Sequence, residues 1–230
     1  MNLKDKIVII TGGSKGFGKA LAKAFLNESS KVIISSNNEK EIESVAKEIS
    51  VFGIYADVTK EEDLTALTNE VIKKFGGIDI WINNAGIWMP HDFVENFDMD
   101  KVRKMFEVNV IGSMNGSRVA LRYMKEKRLG IIINIISDSA LVERPMSSTY
   151  SASKWAVNGF TKSIRAEDKD KNISILSVFP GGMKTDIFGE ARPDNFDDFM
   201  ETSYVAEKVI DNLKKELPEE ELIIQKPEVK

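Results

Sequence analysis

The chain has no cysteine. Disulfides, thiolate metal sites and cysteine nucleophiles are therefore excluded, and a reducing, cytoplasmic setting is expected. Histidine occurs once, at His91. That leaves little material for a histidine-based metal site or a Ser-His-Asp triad, and no metal is expected. Positive charge is not in excess. The 32 lysines and arginines face 36 aspartates and glutamates, for a net charge of −4. Nothing in that balance prepares a surface for nucleic acid or an anionic membrane. Long apolar runs are missing too. Stretches such as residues 130–133 fall far below the roughly 20 residues that span a bilayer. The start, Met1-Asn2-Leu3-Lys4-Asp5-Lys6, runs straight into a short apolar strand, so no signal peptide is expected.

What is present is ordinary for a globular chain: 230 residues, 42% hydrophobic and 30% charged. The length suffices for one large domain with a sizeable core. No linker, repeat or low-complexity tract divides it, so a single domain over residues 1–230 is expected. Short β-rich runs at 6–11, 31–35, 52–56, 79–83, 131–137, 173–179 and 221–225 alternate with helical patterns. The helices are expected at 17–27, 39–49, 60–75, 100–127, 147–167 and 203–216. Apolar strands separated by helices predict a parallel sheet covered on both faces. The fold class is α/β, a Rossmann-like doubly wound parallel sheet of about seven strands. Residues 186–202 stand apart. Their centre, 189–201, is rich in acidic residues with Phe196 and Phe199 three apart, and reads as a surface loop or as a flap over a pocket.

Two patterns carry chemistry. After the first strand comes Thr11-Gly12-Gly13-Ser14-Lys15-Gly16-Phe17-Gly18. Glycines let the backbone turn sharply and let a ligand approach. Free N–H groups and the dipole at the start of the next helix suit a pyrophosphate, and the strand–turn–helix context points to a dinucleotide. Further on, Tyr150 and Lys154 lie four apart, on one helix face. A nearby ammonium favours phenolate over phenol, so Lys154 is expected to lower the Tyr150 pKa towards the range of a general acid/base.

With Asn83-Asn84-Ala85-Gly86, Asn109, Ser137 and Pro180-Gly181 added in order and spacing, the chain resembles the short-chain dehydrogenase/reductase family from the first strand to about Thr185. The resemblance implies an enzyme that moves a hydride between a nicotinamide nucleotide and a carbonyl or alcohol. It implies that Gly12, Ser14, Lys15, Gly16, Phe17 and Gly18 hold the pyrophosphate, with Asp57 and the Val58 N–H on the adenine, although Asp57 could equally cap the following helix. Asn83, Ala85 and Gly86 would tie strands together and let the cofactor lie close. Tyr150 and Lys154 would serve the nicotinamide ribose and the reaction. Pro180, Gly181, Met183 and Thr185 would hold the carboxamide, with Met183 where the family's PGxVxT has valine. Ser137 would stabilise the reacting oxygen, with Ser139 in reserve. Asn109 would disturb its helix and hold a water in a proton relay. Asp138 departs from the small or apolar residue common after that serine. Gly112 and Gly116 would permit close helix packing.

An acid after the second strand would favour NAD. Here Ser36 and Asn37 stand in Ser35-Ser36-Asn37-Asn38, with no carboxylate before Glu39, and Lys15 could reach a 2′-phosphate. NADP(H) is therefore expected over NAD(H), although the arginine often seen after strand two is replaced by Asn37. Trp88, Met89, Pro90 and His91 should edge the pocket, with Phe188, Phe196 and Phe199 among its apolar walls, which favours a small apolar carbonyl or secondary alcohol. Pairing through the helices at 100–127 and 147–167 would give a homodimer, with a tetramer left open. Two other readings stand beside the reductase: a non-catalytic NADP(H) sensor, and an epimerase or dehydratase on the same fold.

Overall fold

Strand β1 (Ile7–Thr11) is buried from end to end. Val8 and Ile10 face one way, Ile7 and Ile9 the other. A strand apolar on both faces needs cover on both, and the helices divide accordingly. α1 (Gly16–Asn27), α2 (Glu39–Ile49) and α7 (Thr202–Lys214) bring Leu21, Phe25, Ile42 and Val205 to the Val8 side. α3 (Glu61–Phe75), α5 (Gly112–Lys127) and α6 (Ser148–Glu167) bring Leu64, Met124 and Ile164 to the Ile9 side. Each such side chain stabilises the fold by roughly 1.5–3 kcal/mol when fully buried.

The computed structural model describes residues 1–168 and 172–227. The rest of the domain expected over 1–230 lies outside the described residues. The sheet runs β3-β2-β1-β4-β5-β6-β7, with every neighbouring pair parallel. The other strands are β2 (Lys31–Ser36), β3 (Phe52–Tyr55), β4 (Ile80–Asn83), β5 (Gly130–Ile135), β6 (Ile173–Pro180) and β7 (Glu221–Ile224). Strand order reverses between β1 and β4, so a crevice opens beyond their carboxyl ends, where doubly wound sheets bind ligands.

Two expected elements differ in kind. The single helix expected over 100–127 is broken. α4 (Met99–Phe106) passes through a π-helical turn, Glu107–Ile111, before α5 begins. The cause is Asn109, which leaves the helical pattern to bind Ile87 on the neighbouring loop, accepting from its N–H at 2.8 Å and donating to its carbonyl at 2.9 Å. The fifth strand, expected over 131–137, ends at Ile135. There the Ser137 hydroxyl accepts the Ser139 N–H at 3.2 Å and starts a 3₁₀ turn, Asp138–Ala140.

A buried polar chain fastens the Ile9 side. The Trp81 indole donates to Asn83 Oδ1 at 2.7 Å, and Asn83 Nδ2 donates to Asn134 Oδ1 at 2.7 Å and Ser117 Oγ at 2.9 Å. Asn134 passes the chain to Thr161 on α6 at 2.8 Å. α5 fits over it because Gly116 has no side chain: a Cβ there would lie 2.0 Å from Asn83 Oδ1. Gly112 allows a similar approach to Val58, at 2.7 Å. The expected close packing is therefore real, but it brings the helix against the sheet and a loop. On α6, a Cβ at Gly159 would meet nothing within 4 Å. Chemical denaturation should show Gly116→Ala losing about 2–4 kcal/mol through overpacking and a broken buried network, with Gly159→Ala gaining about 0.5–1 kcal/mol from helix propensity.

Candidate active site

A cavity of about 640 Å³ fills the crevice beyond β1 and β4, a size within the range of small-molecule and cofactor sites. Its walls include Gly12, Ser14, Lys15, Gly16, Phe17 and Gly18 from the turn after β1, Ser36 and Asn37 after β2, and Asp57 and Val58 after β3. Ala85 and Gly86 follow β4, Ser137 follows β5, Tyr150 and Lys154 come from α6, and Pro180, Gly181, Met183 and Thr185 come from the end of β6. Residues scattered over the chain are thus brought to one surface.

Two expected site residues do not line it. Asn83 is buried and its amide is committed to Trp81, Asn134 and Ser117. Its expected role in tying strands together stands, but its side chain faces away from the cavity. Asn109 is also buried, with its amide held by Ile87 and by Ser153 Oγ at 3.2 Å. The expected disturbance of the helix is there. Its side chain, however, fixes the Gly86–Ile87 edge of the cavity and offers the cavity no free group.

The glycine turn is held from two sides. Thr11 Oγ1 accepts the backbone N–H groups of Asn84 and Ala85, and Asn84 Nδ2 donates to the carbonyls of Thr11 and Gly12. Gly12 has φ +62°, and a Cβ there would stand 2.8 Å from Ala85 Cα. A Cβ on Gly18 would strike the Gly12 carbonyl at 2.2 Å. The N-cap position of α1 is Lys15, no side chain caps the helix, and its first turn holds no acid. Unsatisfied N–H groups at the positive end of a helix therefore meet the cavity, which suits a pyrophosphate. The residues present fit a dinucleotide in both shape and charge.

At the β2–β3 end, Asp57 does not cap α3 as one reading of the sequence expects: the N-cap position is Lys60, and no side chain caps that helix. Asp57 lines the cavity, and its Oδ1 accepts from Thr59 N–H and Oγ1 at 3.0 and 2.8 Å, shaping the turn into α3. Glu41 lines the same end and was not expected there. The sequence offers no carboxylate before Glu39, but α2 carries Glu41 back towards Asn37.

At the other end, Lys154 Nζ donates to the Ile135 carbonyl at 3.1 Å and lies 5.8 Å from the centroid of the Tyr150 ring. A side chain on Gly86 would begin 3.8 Å from that nitrogen. Burial pushes the Lys154 ammonium down to about 8. It pushes the Tyr150 phenol up to about 12, with the Asp138 charge adding to the rise and a hydrogen bond from Ser137 opposing it. The expected lowering of the tyrosine is therefore reversed, because taking the phenolate out of water outweighs the help from its neighbours. Ser137 lines the cavity within reach of the phenol, and Ser139 lines it too, with a buried hydroxyl that finds no partner among the described residues.

Beyond the reacting groups the cavity is aromatic. Trp88 packs edge-on to His91 at 5.4 Å and to Phe188 at 5.0 Å, and Phe188, Phe196 and Phe199 form a cluster. The segment carrying these phenylalanines is tied at its base by the bridge between Met183 and Met200 and lines the cavity with Phe188, Pro193, Asn195 and Phe199. Of the edge expected at Trp88, Met89, Pro90 and His91, Trp88 and His91 are the lining residues. Asp138 and Arg144, which face each other here, were not paired in the sequence.

Comparison with known proteins agrees with this geometry. The family described as short chain dehydrogenase matches residues 6–195. A 3alpha-hydroxysteroid dehydrogenase from Mediterraneibacter gnavus is 33% identical over 194 residues, covering 81% of this chain and 77% of that protein. An L-fucose dehydrogenase from Bos taurus is 31% identical over 187 residues, covering 80% of this chain and 68% of the other. Among solved structures, a 3-ketoacyl-(acyl-carrier-protein) reductase from Brucella melitensis, complexed with NADH, superposes with a TM-score of 0.90 at 27% identity, covering 96% and 97% of the two chains.

The depressed Lys154 has a consequence for stability. Below pH 8 the folded protein holds a buried cation at full cost. Between about 8 and 10.5 the folded state gives up that proton before the unfolded state does. Lys154→Met should therefore stabilise the nucleotide-free protein by on the order of 1–3 kcal/mol at pH 7. Denaturant titrations at several pH values should show that gain shrinking as the pH rises from about 8 towards 10.5.

Proposed function

Because the chain belongs to the short-chain dehydrogenase/reductase family and is thereby an NAD(P)-dependent oxidoreductase, we propose that it interconverts a small, mainly apolar carbonyl compound and its secondary alcohol, with NADP(H) preferred and Tyr150 handling the proton. The observation that carries this reading is the meeting of Ser137, Tyr150 and Lys154 in the cavity that the glycine turn opens. The aromatic surface of Trp88, Phe188 and Phe199 supports an apolar substrate body.

The uncapped start of α1 would hold the pyrophosphate, Asp57 and Val58 the adenine, and Met183 and Thr185 the carboxamide. Lys154 would hold the nicotinamide ribose. The reduced nicotinamide, when bound, supplies the hydride that the carbonyl carbon takes up. As that carbon is reduced, charge grows on the oxygen. Tyr150, whose phenol burial holds near 12, carries its proton throughout the neutral range. Its O–H bond breaks as the substrate O–H bond forms, and the phenolate left behind is stabilised by the Lys154 ammonium. The Ser137 hydroxyl bonds the same oxygen. Alcohol oxidation runs the same steps backwards and needs the phenolate, so it gains with rising pH.

Lys15, Ser36 and Asn37 line the end of the cavity where a 2′-phosphate would sit. Self-association along α5 and α6 is supported by Trp155 on α6, which is 52% exposed, an unusual amount for a tryptophan with no covering neighbour. A cytoplasmic location, inferred from the absence of cysteine, belongs to the same proposal.

Assays over a panel of ketones, diketones and aldehydes should show NADPH oxidation that Tyr150→Phe lowers by at least about a thousandfold, from loss of the proton donor, while NADPH binding survives. Near-normal turnover in that variant would refute the mechanism. Lys15→Ala should weaken NADPH binding about tenfold, roughly 1.4 kcal/mol, and leave NADH almost untouched. Equal loss for both nucleotides would remove the 2′-phosphate role.

A further inference from the structure

The Ser137 hydroxyl has one proton, and more than one acceptor competes for it. Asp138 Oδ1 lies 3.3 Å from Ser137 Oγ, in position to take that proton, while Ser137 Oγ accepts the Ser139 N–H. A hydroxyl that donates to Asp138 cannot at the same moment donate to the Tyr150 phenolate or to a substrate oxygen. The second oxygen of Asp138 is held by Arg144 Nη2 and, at 3.4 Å, by Gln225 Nε2. The carboxylate is thus held by Arg144 from the loop before α6 and by Gln225 from beyond β7, the second far away in sequence.

We propose that Asp138, whose charge is shared with Arg144, is a positioning residue that competes with Tyr150 for the Ser137 hydroxyl and so keeps Tyr150 in its proton-donating form. The proposal rests on the reading of Tyr150 as the reacting acid. Asp138 acts in two ways with the same sign. Its negative charge opposes a second negative charge on the phenol. It also withdraws the one hydrogen bond that Ser137 could give a phenolate. Arg144 moderates both effects by sharing the carboxylate charge. The other charged or titratable groups lining the cavity near the reacting centre are Lys154 from α6, His91 from the loop after β4, Lys104 from α4 and Asp186 from the segment after β6. Of the acids among them, only Asp138 touches Ser137. The consequence is directional: the resting site is set for reduction, and oxidation must first overcome Asp138.

Tyr150 can be titrated by its ultraviolet tyrosinate absorbance after rapid pH jumps, each protein read against its own Tyr150→Phe version. Asp138→Asn should lower the midpoint by about one pH unit, a tenfold gain in tyrosinate at a fixed pH. Arg144→Gln should raise it. The double variant should match Asp138→Asn alone, since Arg144 acts through Asp138. In turnover, the pH of half-maximal alcohol oxidation should move in the same directions while the KM for NADP+ holds steady. Coincident midpoints for wild type and Asp138→Asn would overturn the inference, and so would shifts of the two single variants in the same direction. If no carbonyl or alcohol is turned over with either nicotinamide, the reductase reading fails by itself, and the titration still decides the role of Asp138.

Discussion

A buried amide must find partners or cost the fold a desolvated polar group, and Asn83 is the amide on which this site depends. It sits opposite Asn134 in the β4–β5 ladder, and its donors and acceptor reach Asn134, Ser117 and Trp81. Asn134 then reaches Thr161, and Thr161 donates to the Val157 carbonyl within α6 at 2.6 Å. The strand that delivers Ala85 and Gly86, the strand that delivers Ser137 and the helix that delivers Tyr150 and Lys154 are therefore locked by one satisfied network. Hydrophobic packing alone tolerates small slides. A chain of short, directional bonds in low dielectric does not. The demand extends to α5, which must come close enough for Ser117 to take part, and only a glycine at 116 permits that approach.

The parts of the site legible in the sequence were those set by local pattern. Continuous apolar runs marked the strands, and the glycine turn announced a helix start facing a ligand. The four-residue step from Tyr150 to Lys154 put both on one helix face, and both line the cavity. What the sequence misjudged was set by burial and by distant partners. Asn83 ties the strands and Asn109 disturbs its helix as expected, but neither lines the cavity, because their amides are committed to Asn134, Ser117, Trp81, Ile87 and Ser153 inside the protein. The tyrosine shift went the wrong way because the sequence shows a lysine four residues off but not the depth of the phenol. Gln225 reaches Asp138 only through tertiary structure, and Arg144 reaches it across the loop before α6, whose shape no periodic spacing rule describes.

Burial also explains why the reacting pair is a strained one. Burial penalises the phenolate of Tyr150, held back to about 12, and the ammonium of Lys154, brought down to about 8, so each charged form sits where water would treat it better. A protein selected only for stability would place a hydrophobic residue at position 154. Holding Lys154 in the cavity wall, fastened to the Ile135 carbonyl, sacrifices stability for a cation beside the phenol, a trade familiar at functional sites. The same low dielectric makes that cation effective when negative charge appears on Tyr150, because screening by water is reduced there.

The argument for NADP turns on a similar mismatch at the other end of the cavity. Glu39 and Glu41 occupy the first turn of α2. Acids are favoured at that end of any helix, so Glu41 is accounted for without a ribose to bind. Lys15 is not accounted for in that way. It stands at the N-cap position of α1, contributes no capping bond, and has no acid in the first turn to offset it. A cation at the positive end of a helix is locally unfavourable, and serine, threonine or aspartate would cap better. Lys15 is exposed, so the cost to its own helix is small, and an anion lying in the cavity against that turn would offset it. A pyrophosphate already satisfies the N–H groups. The further negative charge that would reward a lysine on the rim, facing Ser36 and Asn37, is the 2′-phosphate, and this is the physical ground for the proposed cofactor preference.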